Sequence, residues 1–261
     1  MEANIPGIYN YCDRWCERCP LTMRCAVFEM NTELDADAGE PEVEEMLGEL
    51  GSRLAGALLL LEESAARWEV APFENSPEAE AGFAGQQAPF ESGLDASPLL
   101  QACNEYAETV ELLFAEIGAW DSQGRELARA AALGIKTIDQ GLAEIDLLSD
   151  CRHVLAWYQR FIGVKFRRAL QGRLSGDAGD QGHQSDWNGS AKVALAAVER
   201  SRLALTSLLR LLPDEDRVLG LLALLARIER LGRTEFPDAD SFRRPGFDDP
   251  TISFNTQPKP Y

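Results

Sequence analysis

The sequence predicts an all-α protein, an antiparallel helical bundle of four to five helices with an N-terminal cysteine-rich metal-binding appendage and a Pro-rich C-terminal tail. Apolar residues recur at three- and four-residue spacing along several long segments, which is typical of helices that pack on one face. Polar loops rich in Gly, Pro and Asp separate these segments. No run alternates apolar and polar residues long enough to indicate a β-strand.

The first predicted helix spans residues 42–69, which carry an apolar stripe at helical spacing. Pro41 suits the first helical turn because its φ is already fixed near the helical value, and the acids that follow lie beside the positive end of the helix dipole. Residues 70–98 are rich in Pro, Gly, Ser and acids, and contain Ala-Pro-Phe-Glu twice. They predict a mobile acidic loop between the first helix and the second.

Further helices are predicted over residues 98–117, about 123–174, about 190–212 and 213 to about 234. Ser97 is the expected N-cap of the second helix. A kink in the long third region is expected near Gly134 or Gly141. Residues 175–189 predict a Gly/Asp-rich loop, and the repeated prolines after residue 236 predict a non-helical tail.

These elements divide the chain into a four-cysteine metal-binding segment (1–30), a helical bundle (31–236) and an irregular tail (237–261). The net charge of −18 is concentrated in residues 31–98, which contribute −14. This acidity argues against nucleic acid and anionic membranes as partners, because both attract Lys and Arg. The N-terminus lacks the pattern of a secretory signal, and no apolar run is long enough to span a bilayer. We therefore expect a cytoplasmic protein whose partner is another protein.

Four of the six cysteines lie within fourteen residues with the spacing C-x3-C-x2-C-x5-C, at Cys12, Cys16, Cys19 and Cys25. Thiolates this close in sequence can converge on one soft metal centre, either tetrahedral Zn²⁺ or an iron–sulfur cluster. Thiols stay reduced in the cytoplasm, so clustered cysteines there are more often metal ligands than disulfides. The sequence therefore predicts a metal site on these residues, with a [4Fe–4S] cluster as the favoured cofactor, Zn²⁺ as its close alternative, and metal-free thiols as the third.

The residues between and around these cysteines fit such a site. Basic side chains offset the charge of an anionic thiolate centre, and aromatic side chains are expected to cover it from water. The basic residues are Arg14, Arg18 and Arg24, and the aromatic residues are Tyr11, Trp15 and Phe28.

The first three cysteines also have the C-x3-C-x2-C spacing of the radical-SAM enzymes. Those enzymes are barrels of alternating strands and helices and usually carry an aromatic residue just before the third cysteine, where this chain has Arg18. A fourth cysteine follows here as well, so we reject this assignment.

The full spacing resembles the N-terminal cluster segment of the fumarate-and-nitrate-reduction type oxygen-sensing regulators. The resemblance implies that Cys16, Cys19 and Cys25 bind a [4Fe–4S] cluster, that Cys12 is dispensable, and that a fourth ligand comes from far along the chain. It covers about fourteen residues. The nucleotide-binding β-barrel and helix-turn-helix of those regulators have no counterpart in the sequence, so neither DNA binding nor regulator function is implied. Cys19-Pro20 is also similar to the Cys-Pro end of ferredoxin ligand runs.

A second candidate metal site consists of Asp146, Asp150 and His153, which share one face of a predicted helix. A di-iron site in a helical bundle needs a Glu from each of two helices and two Glu-x-x-His motifs. This chain has two histidines and a single Asp-x-x-His, so a solvated acidic stripe in which His153 pairs with a neighbouring Asp is the favoured alternative.

Two further features have two interpretations each. Cys103 and Cys151 lie on predicted helices, and we expect them to pack in the core, with a role as distant cluster ligands as the alternative. Residues 160–173 carry five basic residues and no acid. This run fits either favourable charge near a helix C-terminus or docking of the acidic residues 31–98 or an acidic partner.

The leading hypothesis is a cytoplasmic metal-binding helical-bundle protein, with iron–sulfur or zinc, that acts as a redox-sensing or accessory interaction protein. The alternatives are a metalloenzyme with a carboxylate/His site in the bundle core, and an interaction module with purely structural zinc. The sequence contains no P-loop, dinucleotide Gly fingerprint, Gly-x-Ser-x-Gly elbow or His-Glu-x-x-His motif. Whether the protein catalyses a reaction therefore stays open.

Overall fold

The computed structural model describes residues 3–37, 48, 51, 94, 96–115, 117–175, 182–212 and 215–249. These ranges contain no β-strand, and their α-helices are α1 (Ala26–Asp37), α2 (Pro98–Ala115), α3 (Ile117–Ala132), α4 (Ile138–Ser175), α5 (Asp186–Leu208) and α6 (Glu215–Glu235). The predicted all-α class is confirmed for these residues. The predicted helix over 42–69 and most of the predicted loop over 70–98 lie outside them.

The chain divides into two compact units, with boundaries after residues 5, 15 and 90. The unit that we call the cysteine unit comprises residues 1–5 and 16–90, and the helical unit comprises residues 6–15 and 91–261. The predicted boundaries of the helical bundle, after residues 30 and 236, remain predictions.

The described part of the cysteine unit consists of two 3₁₀ turns, Cys16–Arg18 and Thr22–Arg24, followed by α1. Within this unit Ile5 lies beside the second turn, because its N–H donates to the carbonyl of Arg24 at 2.9 Å. The sequence pattern did not predict α1, since this short helix has few apolar residues and they form no long stripe.

Helix α4 is the central element of the helical unit. It packs against α2, α3 and α5, while α6 packs against α2 and α5. The predicted stripe of α2 is confirmed up to the end of that helix, because its members are buried: Leu99, Cys103, Tyr106, Val110 and Leu113. None of the described helices combines the length and apolarity that a bilayer-spanning helix requires.

The prediction of one helical region over residues 123–174 is wrong, because the chain reverses direction instead of kinking. Gly134 adopts a left-handed φ of +71°, and the N–H of Ile135 donates back to the carbonyl of Ala130 at 2.9 Å, which ends α3. Thr137 and Gln140 then exchange side-chain to backbone hydrogen bonds of 3.1 and 3.2 Å, which is a capping arrangement that starts α4.

The later helices are present with shifted ends. Helix α5 begins at Asp186, so the last four residues of the loop predicted over 175–189 are helical. Beyond α6, residues 236–249 contain one short 3₁₀ turn, Ala239–Ser241, and bury Phe236 and Phe242. The ammonium of Lys192 holds this segment against α5, because it donates a hydrogen bond to the carbonyl of Phe242 at 2.5 Å.

The carboxylate of Asp248 makes part of the stability pH-dependent. Burial disfavours its ionised form, but hydrogen bonds from Arg244 and Lys192 outweigh burial and hold the pKa of Asp248 well below its usual value. Because the unfolded chain takes up this proton first, the stabilisation is complete above about pH 4 and is lost as the pH falls below it. We expect Asp248→Asn to flatten the loss of stability between about pH 4 and pH 2, measured by urea denaturation at stepped pH. Equal acid sensitivity of the two proteins would contradict this.

Candidate functional site

Three of the predicted ligands, Cys16, Cys19 and Cys25, lie in the cysteine unit. The N–H of Cys19 donates to the carbonyl of Cys16 at 3.1 Å, and the N–H of Cys25 donates to that of Thr22 at 3.1 Å, so both 3₁₀ turns end at a cysteine. Residues i and i+3 of a 3₁₀ turn lie on the same side, so the turn brings Cys16 and Cys19 together. All three are half-buried thiols.

The fourth predicted ligand, Cys12, belongs to the helical unit. Its Sγ donates to the carbonyl of Tyr9 at 3.5 Å. Burial raises the pKa of the Cys12 thiol above its ordinary value, although the backbone N–H of Arg14 and the charges of Lys165 and Arg14 act in the opposite direction. Cys12 is therefore a protonated thiol near neutral pH.

Within the residues that the structure describes, no three His, Cys, Asp or Glu side chains are placed to hold a metal ion. The four-cysteine metal site stays a prediction. Its donor chemistry fits, since half-buried cysteine thiols are the ligands that zinc and iron–sulfur clusters take.

Asp13 attaches the N-terminal part of the helical unit to α4 and α5. Its carboxylate accepts hydrogen bonds from the hydroxyl of Tyr158 at 2.5 Å and from the guanidinium of Arg200, and its backbone carbonyl accepts from the indole N–H of Trp157 at 3.1 Å. Burial, and then the charge of Asp13, raise the pKa of Tyr158, so this residue donates as a neutral phenol. We call these contacts the Asp13 anchor.

Aromatic packing extends the Asp13 anchor on both sides. The ring of Trp15 stacks on that of Trp157, with centroids 5.0 Å apart and planes at 16°. The ring of Tyr11 lies 4.6 Å from that of Phe242. Gly189 makes room for Tyr11, because a Cβ at this position would lie 2.6 Å from Cδ1 of that ring. Tyr11 and Trp15, which the sequence suggested as covers for the metal site, thus pack against the helices.

The second candidate metal site lies on α4. Asp146 and His153 are exposed and Asp150 is half-buried. The core placement that the metalloenzyme alternative requires is therefore not seen for two of its three residues.

Cys103 and Cys151 are both buried in the helical unit. Burial raises the pKa of Cys103 to about 12 and that of Cys151 to about 11, so both are protonated near neutral pH. This environment is typical of cysteines that pack in a core.

The basic run over residues 160–173 is largely paired within the helical unit. Arg160 binds Glu111, Arg168 binds Asp186 and Arg173 binds Glu235. The acidic residues proposed to dock there lie mostly outside the described ranges.

Sequence reasoning missed the Asp13 anchor and the burial of Lys165. The anchor gave no local signal, because Asp13 is 145 residues from Tyr158 and 187 from Arg200. Lys165 did give one, since it falls on the buried face of α4, seven residues after Tyr158 and three after Ile162.

Comparison of the chain with models of known protein families, with curated proteins and with solved structures gives no match. Its function is therefore argued from its own residues.

Proposed function

We propose that this chain is a metal-binding helical-bundle protein that acts as a redox-sensing or accessory interaction protein. The 3₁₀ turn from Cys16 to Cys19, closed by the 3.1 Å hydrogen bond, carries the proposal. A C-x2-C pair on a tight turn supplies two thiolates from one side of the chain, and Cys25 follows at the end of the next turn as a third.

The composition of the cysteine unit supports the same proposal. Leu21 is the one buried residue in the part of this unit for which burial is described. So little apolar burial supplies little folding free energy, whereas thiolate coordination of a metal supplies several kcal/mol or more. A metal would therefore stabilise these turns.

The favoured cofactor is a [4Fe–4S] cluster, and Zn²⁺ is its alternative. A cluster on Cys16, Cys19 and Cys25 would give the chain an oxygen- or redox-responsive group. If the metal is Zn²⁺, the site is purely structural and the chain is an interaction module. The helical unit supplies the surface for a protein partner in both cases.

Purification under anaerobic conditions tests the proposal. We expect brown protein that contains iron and acid-labile sulfide, and we expect Cys16→Ser to lose both together with the visible absorption. Cys103→Ala is the matched control, because it removes a thiol from the core of the helical unit, and it should keep the cluster.

Other outcomes separate the alternatives. Colourless protein with one zinc per chain would contradict the iron–sulfur cluster and support the alternative, an interaction module with structural zinc. Metal content that is absent, or that survives Cys16→Ser, would overturn the metal proposal. Cys12→Ser tests the ligand set, because loss of the cluster makes Cys12 a ligand, and retention gives the three-cysteine set that the regulators' pattern implies.

A further inference from the structure

Helices α3 and α4 form a hairpin whose outer end is apolar although it lies at the surface. Four large aliphatic side chains between 55% and 72% exposed fall within ten residues of the chain here: Leu133, Ile135, Ile138 and Leu142. Single exposed aliphatic residues are ordinary, whereas a cluster of them is typical of a surface that another molecule covers. We call residues 121–149 of this hairpin the arm.

The arm holds this cluster on a rigid support. Among the described helices, α3 packs chiefly against α4. The two helices touch closely, because a Cβ at Gly141 would lie 2.7 Å from the Cβ of Ala131. An ion pair of 2.5 Å between Lys136 and Glu144 joins the turn to the next part of α4. A surface that is already ordered loses little conformational entropy when it binds a partner.

The arm has an apolar face to which both of its helices contribute. Because each residue turns a helix by about 100°, Ile138 and Leu142 lie roughly a quarter turn around α4 from the line along which the helices touch. Ala128 and Ala132 are displaced by a similar angle around α3. Both helices are right-handed and run antiparallel, so the two displacements lead to the same side of the hairpin. All four residues are exposed, and we call them the arm face. Small alanines beside large aliphatic residues give a surface on which other helices can pack closely.

The charges at the edges of the arm face indicate what binds it. Helix α3 carries Arg125 and Arg129, and α4 carries Asp139 and Asp146. All four side chains are exposed, and none makes a hydrogen bond or an ion pair with a residue that the structure describes. One helix thus borders the arm face with unpaired cations and the other borders it with unpaired anions. A surface of this kind is complementary in charge to a second copy of itself.

We propose that the arm face binds the arm face of a second copy of this chain. A two-fold axis parallel to the arm places α3 of one copy beside α4 of the other and antiparallel to it, which gives a four-helix bundle. The helices touch at Ala131 and Gly141. Arg125 lies six residues before the first and Asp146 five residues after the second, so Arg125 of one copy is nearly level with Asp146 of the partner subunit. The symmetry forms this ion pair twice. The arm contains no cysteine, so this dimer is independent of the proposed metal function.

Sedimentation velocity of the full-length protein over a series of concentrations tests the proposal. We expect an equilibrium between monomer and dimer. Ile138→Asp should weaken the dimer roughly tenfold to a hundredfold, because it places a charge in an apolar interface. Val164→Asp is the matched control, since it changes an aliphatic residue of α4 that is equally exposed but lies outside the arm, and it should leave the dimer unchanged.

A charge swap tests how the two copies are arranged. Arg125→Glu should weaken the dimer roughly tenfold, because it places a carboxylate opposite Asp146 of the partner subunit. Asp146→Arg should weaken it similarly, because it places two arginines together. The double variant Arg125→Glu/Asp146→Arg should recover most of the wild-type affinity, because the pair is restored with its signs exchanged. The two single variants change the net charge in opposite directions, so a general effect of charge would not weaken the dimer in both.

Three results would overturn the proposal. Wild-type protein that stays monomeric at every concentration is the first, because the arm face would then have a different occupant. A dimer that Ile138→Asp leaves intact, or that Val164→Asp weakens as strongly, is the second, because the interface would lie elsewhere. A double variant that is no tighter than the single ones is the third, because α3 and α4 of the two copies would not be neighbours. All the substituted residues are exposed, so the variants should fold, and circular dichroism checks that they do.

Discussion

Asp13→Ala is expected to release residues 6–15 from α4 and α5 and to lower the free energy of unfolding by about 3 kcal/mol. The carboxylate is 19% exposed and accepts hydrogen bonds from Tyr158 and Arg200, so its removal takes the acceptor from the Tyr158 hydroxyl and the ion-pair partner from Arg200. Urea denaturation measures the loss. Fluorescence at low urea should also shift, because the stacked indoles of Trp15 and Trp157 would separate.

Two further variants make the Asp13 experiment specific. Asp121→Ala removes an exposed carboxylate on α3 and should change stability by less than about 0.5 kcal/mol. In the cycle with Arg200→Ala, the double variant should cost less than the sum of the single ones, because each change removes the same ion pair. An unfolding free energy of Asp13→Ala close to that of the wild type would show that the Asp13 anchor contributes nothing to stability.

Phe166→Ala is expected to cost the most stability, about 3–5 kcal/mol, because its ring is fully buried where α4 meets the end of α6. The ring stacks with that of Phe236 at a centroid distance of 6.4 Å and lies against the backbone of Gly232. Removing it leaves a cavity that rigid helices cannot close. Thermal and urea unfolding measure the loss, and Val164→Ala, on the exposed face of α4, should change little.

Gly232, which faces Phe166, allows a test in which a methyl group is added to the core instead of removed. A Cβ at Gly232 would lie 2.6 Å from Cζ of Phe166, so Gly232→Ala should destabilise by about 1–3 kcal/mol through overpacking. Combining it with Phe166→Leu should recover part of the loss, because the smaller side chain makes room for the added methyl group. Additive losses would mean that the two positions are not complementary in size.

The helices were predictable from sequence because their information is local. Leu99 through Leu113 repeat at helical spacing, and Ser97-Pro98 marks the start of α2. The reversal near Gly134 was partly predictable from sequence. A glycine can end one helix, and Thr137 with Gln140 can cap the start of the next. Its consequence, two helices instead of one bent helix, depends on the close packing of α3 on α4, where a Cβ at Gly141 would lie 2.7 Å from that of Ala131.

The candidate sites were less predictable because their partners are distant in sequence. The spacing of Cys16 and Cys19 predicts metal chemistry from local information alone. Nothing local indicates that Asp13 binds Arg200, because that contact follows from how α4 and α5 pack. Sequence alone also assigned Tyr11 to the cysteines, whereas its ring packs on Phe242.

The Asp13 anchor has a consequence for the order of events during synthesis. Residues 6–15 leave the ribosome well before their partners Asp186 and Arg200, which lie 175 and 187 residues downstream of Tyr11 and Asp13. Translation at roughly 5–20 residues per second therefore leaves this segment undocked for on the order of ten seconds or longer. During that interval the helical unit cannot shield Cys12 or hold Trp15. Any group that reacts with the Cys12 thiol has this interval before α5 docks on the segment.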